Sequence, residues 1–290
     1  MAISSLFPTG WTDYSLIDTG DGQRLERFGD FLIVRPDPNV LWPKFQPNHK
    51  GWQNPDARYV GKEQQEGGWE LKDPKLANGW KIAFQDIVLQ VKPTPFRHMA
   101  VFPEQAAHWA WLQELISHAT KPVSVLNLFA YTGGASIAAA LKGAEVCHVD
   151  ASKGSMYLAK ENAALSGLSE TAIRWIVDDA VKFMRREARR EKKYDIILMD
   201  PPVFGRGPKG EIWRLEDGIA ELAECAADLM GDKPLGFLMN FYATSRYPES
   251  FSRVFHDRMA GKGLELEVGS LNLREELSGK ELPTGFFLRS

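Results

Sequence analysis

A chain of 290 residues, 44% apolar and 25% charged, is long enough to bury a sizeable core and has the balance of an ordinary soluble globular protein. Its net charge of −3 does not announce a nucleic-acid binder, although a local basic patch is enough for phosphate contacts. Two cysteines exclude a disulfide framework or a cysteine-based metal centre and fit a reducing cytoplasm; no run of 18 apolar residues and no basic-then-apolar leader occurs, so neither export nor a membrane span is expected.

The first ninety residues read as short strands and turns. Tyr14 to Asp18 and Arg24 to Phe28 flank Thr19-Gly20-Asp21-Gly22, a strong hairpin signal, and Phe31 to Val34 follows, giving a three-stranded meander. From Pro36 to Lys81 the chain is rich in Pro, Gly, Asn and Trp. Trp42, Trp52, Trp69 and Trp80 are expected to pack this small domain, with a base-stacking platform as the alternative. Trp80 to Ala83 and Ile87 to Val91 form a last hairpin. A proline-rich joint, Lys92 to Gln105, leads to a helix over Ala106 to Ser117, whose Trp109, Leu112, Leu115 and Ile116 recur at helical spacing.

Val123 to Phe129 is a short apolar run of the kind found in buried parallel strands. Ala130 to Gly134 supply a turn, Ala135 to Leu141 a helix of small residues ending at Gly143, and Glu145 to Val149 a second strand that ends in Asp150. In such a β-turn-α-β unit a ligand lies beyond the carboxyl ends of the strands, and an acid about 20 residues on can accept hydrogen bonds from ribose hydroxyls. The turn Asn127-x-Phe129-x-Tyr131-Thr132-Gly133-Gly134 is neither G-x-G-x-x-G nor a P-loop, which disfavours NAD and ATP. It suits S-adenosylmethionine (SAM), which has no pyrophosphate to cradle.

A helix over Ser155 to Ser166, a strand over Ala172 to Val177 and the pair Asp178-Asp179 come next; two adjacent carboxylates are also what an N-cap of the following helix would use. That helix, Val181 to Lys193, ends in Arg185, Arg186, Arg189, Arg190, Lys192 and Lys193, either a solvated face complementing the helix dipole or a phosphate site. Tyr194 to Asp200 is the fourth buried strand and runs into Pro201-Pro202-Val203-Phe204-Gly205. This places a carboxylate and a rigid, donor-poor turn at the carboxyl edge of the sheet, beside the glycine turn. Gly205 to Asp217 is a glycine-rich loop with Arg206, Lys209 and Arg214, either ordering over a substrate or an ordinary connection. Leu235 to Phe241 gives a fifth strand, Pro248 to Met259 a helix, and Leu264 to Leu273 with Gly285 to Leu288 an antiparallel closing pair.

These motifs, in this order, resemble motifs I to IV of the class I SAM-dependent methyltransferases. Phe96-x-His98-x-x-x-Phe102-Pro103-Glu104-Gln105 resembles the segment before motif I in the subgroup related to the bacterial 23S ribosomal RNA cytosine-C5 and guanine-N7 enzymes, and Leu25-Glu26-Arg27-Phe28-Gly29 resembles that subgroup's small β-rich domain. The resemblance implies an α/β fold with a Rossmann-like seven-stranded sheet, an N-terminal β-rich domain over residues 1–95 and a catalytic domain over 96–290; a separate N-terminal RNA-binding module of the kind some ribosomal RNA relatives carry is not expected. It implies SAM contacts from Phe102 and Gln105, from Asn127, Phe129, Tyr131, Thr132, Gly133, Ala135 and Ser136 around the turn, from Asp150, Ala151 and Ser152, and from Asp179 and Ala180, where Asp179 would meet the adenine amino group. Asp200, Pro201 and Pro202 would carry the chemistry, the Pro201 carbonyl and the Asp200 carboxylate holding or deprotonating the acceptor.

In amino-group enzymes of this kind an aromatic follows the two prolines directly. Here Val203 intervenes and the aromatic is Phe204, which departs from that pattern. Pyrimidine C5 methylation needs a thiolate near these strand ends. Position 203 is Val, Asn240 to Ser245 contains no cysteine, Cys147 sits within a strand and Cys225 within a helix, so a C5 enzyme is not expected. The expected function is a cytoplasmic SAM-dependent methyltransferase of RNA, ribosomal RNA above all, using no metal; a protein or small-molecule methyltransferase and a non-catalytic SAM-binding scaffold are the alternatives.

Overall fold

The computed structural model describes residues 4–61, 67–95, 97–207, 210, 212–242 and 248–290. In chain order these form β1 (Ser4–Leu6), β2 (Tyr14–Gly20), β3 (Gln23–Phe28), β4 (Phe31–Pro36), the short helix α1 (Lys50–Gln53), β5 (Ala57–Val60), β6 (Gly68–Leu71), β7 (Trp80–Phe84) and β8 (Ile87–Val91). They continue with α2 (Ala106–Ser117), β9 (Ser124–Leu128), α3 (Gly134–Leu141), β10 (Glu145–Asp150), α4 (Lys153–Leu165), β11 (Ile173–Val177), α5 (Ala180–Arg189), β12 (Ile196–Met199), β13 (Phe204–Arg206) and β14 (Ile212–Arg214). The last elements are α6 (Leu215–Leu229), β15 (Gly236–Phe241), α7 (Pro248–Ala260), β16 (Glu267–Arg274) and β17 (Glu281–Arg289). Among the described residues no helix is long and apolar enough to cross a membrane.

The contacts divide the chain into two compact units: Met1–Leu6, His108–Leu271 and Gly285–Ser290 make the larger, Phe7–Ala107 and Asn272–Thr284 the smaller. This differs from a single cut after residue 95. The proline-rich segment that reads as a joint is packed into the smaller unit, where Met99, Ala100 and Val101 are buried and the Trp11 indole donates to the Pro103 carbonyl at 3.0 Å.

In the smaller unit β2, β3 and β4 form the expected meander. Its first turn is tight because Asp21 and Gly22 both adopt positive φ, 52° and 73°, as a two-residue hairpin of this hand requires. The same sheet continues into β5, parallel to β4, and β6, two strands that the Pro- and Gly-rich sequence does not announce. Ile17, Leu25, Val34 and Trp52 make a core here. Trp52 and Trp80 are tied into it through their indole nitrogens, to Asp18 at 2.9 Å and to the Phe28 carbonyl at 2.9 Å. Glu26, fully buried, takes two hydrogen bonds from Arg35 and one from Tyr14; burial alone would raise its carboxyl, but Arg35 and Arg24 outweigh that and hold it below the usual range. The segment at 272–284 joins this unit by backbone: Glu276 N–H donates to Leu16 at 2.8 Å and Leu277 N–H to Ile17 at 3.2 Å, while the buried Thr19 hydroxyl donates to the Glu275 carboxylate.

The larger unit is built on an eight-stranded sheet in the order β1-β16-β17-β15-β12-β9-β10-β11. Seven of these are the expected strands, and the eighth, β1, is three residues added parallel to β16 at the edge. β11, β10, β9, β12 and β15 run parallel and β17 antiparallel to β15. The strands leave β9 in both directions, β10 and β11 to one side and β12 and β15 to the other. The gap between β9 and β12 is therefore the topological switch point, where a doubly wound sheet opens a crevice at its carboxyl edge. Leu126, Leu128, Ile197, Met199, Phe237 and Met239 fill one face beneath Phe183, Leu222 and Phe255 of the covering helices.

Candidate active site

The first wall of the crevice is the turn after β9. Phe129, Tyr131 and Gly133 have φ of 54°, 48° and 91°, so two bulky residues are held in a region ordinarily left to glycine. Such conformations persist only where surroundings over-determine them, and the pins are visible. Ala130 N–H donates to the Val149 carbonyl at 3.1 Å, Tyr131 N–H to Asp150 Oδ2 at 2.8 Å, and the fully buried Asn162 side chain donates to the Thr132 carbonyl at 2.9 Å. Helix α3 then starts against α2: a Cβ on Gly134 would lie 2.3 Å from the Trp109 ring, a distance no side chain tolerates.

Beneath the turn, Asn127 Nδ2 donates to Ser136 Oγ at 2.9 Å and Ser136 Oγ lies 3.0 Å from His148 Nδ1, all three at most 4% exposed. The amide gives its proton to the serine, and the serine hydroxyl shares a hydrogen bond with His148 Nδ1. Burial depresses His148 to about 3, which keeps the imidazole neutral. The side chains of Asn127 and Ser136, two of the sequence-derived cofactor positions, are therefore directed at each other under the turn.

Asp150 closes β10 and is half-buried. Its carboxylate accepts from Tyr131 N–H and, at 2.7 Å, from Ser152 N–H; burial raises its proton affinity and these two bonds offset part of the rise. Ser152 in turn caps α4, its hydroxyl accepting from Ser155 N–H at 3.2 Å. After β11, Asp179 is the N-cap of α5 with one oxygen accepting from Lys182 N–H at 2.9 Å, and Ala180 is the buried first residue of that helix. Asp178 pairs with Arg186. Phe102 and Gln105 belong to the smaller unit, where the Phe102 ring packs on His98 and Gln105 is buried.

The second wall is the end of β12, in register with β9 so that Met199 lies beside Leu128. Asp200 N–H donates to the Leu128 carbonyl at 3.3 Å, which carries the neighbouring strand one residue further; Asp200 is half-buried, Pro201 buried and Pro202 exposed. The two turns thus emerge from adjacent strands, a spacing of about 5 Å.

Beyond Pro202 the glycine-rich stretch is a hairpin of β13 and β14 rather than a plain loop. Gly205 faces Trp213, and the indole of Trp213 donates to the Pro202 carbonyl at 2.7 Å. Its ring packs on Phe129 with centroids 5.4 Å apart. Phe204 and Ile212, 55% and 67% exposed, sit on the hairpin with Arg214, also exposed. Lys209 and Ala243 to Ser245 lie outside the described residues, as does Phe96. Sequence reading missed Trp213; its only signal was an isolated aromatic in a glycine-rich stretch.

The basic run at α5 is largely paired. The helix ends at Arg189, Arg185 bridges Glu221, Arg186 bridges Asp178, and Arg190 reaches Glu187 at 3.1 Å. Both thiols are remote from activation: Cys147 is 3% exposed and burial pushes it up to about 11, and Cys225, 7% exposed, is also raised by burial. No group of three or more potential ligands that would hold a metal occurs among the described residues.

A turn of positive-φ residues at a switch point, an acid closing the next strand and an Asp-Pro-Pro turn opposite are matched by a family model, S-adenosylmethionine-dependent methyltransferase, over residues 66–214, more than half of the chain. The chain belongs to this family. It is similar to a SAM-dependent methyltransferase from Agrobacterium tumefaciens, 40% identical over all of this chain and 93% of that one, with a TM-score of 0.94. SMU.776, a methyltransferase solved with SAH, shares the fold at 19% identity, covering 97% of this chain and 76% of its own, TM-score 0.68. Among curated proteins it is similar to ribosomal RNA large subunit methyltransferase I of Aeromonas salmonicida, 30% identical over 61% of this chain, and of Tolumonas auensis, 34% identical over 50%. The chain spans 45% and 36% of those two proteins, less than half of either.

The cofactor of this methyltransferase family is SAM, and the residues present fit it. Asp150 keeps lone pairs on both oxygens for hydroxyl donors, and Asp179 has a second oxygen beyond the one used in capping.

Proposed function

We propose that this chain transfers the methyl group of SAM to RNA, ribosomal RNA before other classes, in the cytoplasm and without a cysteine nucleophile. The observation that carries the reading is the pairing of β9 with β12, which brings the cofactor turn and the Asp-Pro-Pro turn out of the sheet side by side. When bound, SAM supplies an electrophilic methyl on a sulfonium. The chain's part is alignment, exclusion of water and a polar group for the acceptor, since in-line displacement is governed by positioning. Asp200 and the Pro201 carbonyl hold the acceptor at the mouth of β12. Asp150 takes the ribose hydroxyls, with Ala151 and Ser152 beside it; Asp179 and Ala180 take the adenine. Phe129, Tyr131, Thr132, Gly133 and Ala135 present backbone to the methionine end, and Asn127 and Ser136 hold that turn from below.

RNA as the acceptor is supported by the names of the ribosomal RNA relatives and by Phe204, an exposed aromatic two residues past Pro202 on which an unstacked base can lie. With the basic run of α5 largely paired, phosphate contacts fall to cations near this hairpin such as Arg214. Labelled methyl from SAM, offered to separated RNA, protein and small-molecule fractions from cells lacking the gene, is expected in RNA, released by nuclease. Label confined to the protein or small-molecule fraction would overturn the RNA reading. Asp150→Ala is expected to weaken SAM at least tenfold in calorimetry, because it removes both the hydroxyl acceptor and the pin on Tyr131; unchanged affinity would move the ribose elsewhere.

A further inference from the structure

We propose that Trp213 is a positioning residue for methyl transfer, fixing the Asp-Pro-Pro turn against the cofactor turn. The inference rests on the reading of these two turns as acceptor and cofactor walls, and adds a residue that neither of them contains.

Three contacts carry it. The indole N–H of Trp213 donates to the Pro202 carbonyl at 2.7 Å, satisfying an acceptor in a turn where two consecutive prolines supply no donors of their own. The ring of the same residue lies on Phe129, centroids 5.4 Å apart and planes at 44°, and Phe129 holds a positive φ of 54° at the start of the cofactor turn. One rigid side chain thus touches both walls. The ring is itself held from behind: Gly218, in the first turns of α6, leaves the room it occupies, since a Cβ there would lie 2.3 Å from the ring, and Gly205 faces it across the hairpin. Leu215 N–H donates to the Val203 carbonyl at 3.0 Å, so the start of α6 is fastened to the same turn. The result is a closed circuit from Phe129 through Trp213 to Pro202, with the strands β9 and β12 as its other side.

Such a circuit sets the distance between a methyl donor lying on one turn and an acceptor held by the other. A misplacement of about 1 Å in this geometry costs up to about 100-fold in rate without any contact to substrate being lost.

Two variants test this, assayed by label transfer into the accepting fraction with saturating SAM. Trp213→Phe keeps a ring for Phe129 and removes the N–H; Gly218→Ala leaves Trp213 intact and drives its ring out of place. Each is expected to lower kcat about 10- to 100-fold with the SAM Kd, read by calorimetry, within twofold of wild type. The split between kcat and Kd is what a residue that merely stabilises the fold would not give, and a melting temperature for each variant identifies any loss due to unfolding. Wild-type kcat in Trp213→Phe overturns the proposal, as does a loss of SAM affinity equal to the loss of rate. If the wild-type enzyme labels protein or a small molecule instead of RNA, the RNA reading fails and the Trp213 test proceeds unchanged on that acceptor.

Discussion

Asp200→Ala is expected to lower kcat by roughly 10²- to 10⁴-fold, the range for loss of a group that positions or deprotonates a nucleophile, while SAM binds within about tenfold of wild type. The asymmetry follows from where Asp200 stands. It ends β12 rather than β9 or β10, its backbone N–H extends the ladder to Leu128, and Pro201 fixes the chain immediately after it. The cofactor turn is pinned independently by Val149, Asp150 and Asn162, so removing the Asp200 carboxylate leaves that turn in place. Asp200→Asn separates two roles. An amide still accepts a hydrogen bond but takes no proton, so activity near wild type marks an orienting acceptor and activity near that of the alanine variant marks a base. Single-turnover transfer with SAM pre-bound is the measurement; loss of SAM binding in either variant would reassign Asp200 to the cofactor wall.

The second large effect is acid lability. His108 and His148 are buried and His98 is half-buried, and desolvation depresses all three to about 3. Around His98 the charges of Arg35, Arg97 and Arg24 deepen the effect and Glu26 opposes it; His108 meets Arg289 and packs edge-on against Phe287; His148 has Ser136 and the Trp175 ring beside it. A histidine whose folded pKa lies below its unfolded value, about 6.5, gives stability that is complete above 6.5 and lost as pH falls from there toward 3. At pH 5 each contributes a loss of about 2 kcal/mol, so three approach the whole stability of a typical domain. Glu104 and Asp150, raised by burial, protonate in the folded state and offset part of it. Denaturant midpoints measured at pH 7.5, 6 and 5 should fall steadily, and a midpoint unchanged at pH 5 would show that these imidazoles bind protons in the folded state. His148→Gln should cost stability at pH 7.5 and flatten the slope below pH 6.

The larger unit was legible wherever periodicity and punctuation agree. The apolar runs before Asn127, Asp150 and Asp200, each followed by a turn, can be little else than buried parallel strands, and their order implies the switch point. What stayed hidden depends on partners far along the chain. β1 is three half-exposed residues made a strand only by β16, and β5 and β6 lie among prolines and glycines with no alternation to betray them. The hairpin after Pro202 has strands of three residues, below what a period-two pattern resolves, and is held by one tryptophan. Within the site, the positions of Asn127 and Ser136 were readable and their orientation was not, because nothing in the local sequence says that His148, on the next strand, lies underneath. Asp179 shows the reverse: of the two readings available from the sequence, the helix cap uses one carboxylate oxygen, and the other oxygen is the one the proposed adenine contact would use.

The tip of the β16–β17 hairpin has a consequence for synthesis. Residues 272–284 belong to the smaller unit, whose other residues, 7–107, leave the ribosome first. Leu16 and Ile17 wait for the amides of Glu276 and Leu277, and buried Thr19 waits for the Glu275 carboxylate. The early-made unit therefore cannot finish before residues 108–271 of the other unit, and then 272–284, have been translated. Vectorial folding, in which an earlier-made domain completes itself while a later one is still being made, is closed to this pair of units, and residues 272–284 act as the latch for residues 7–107.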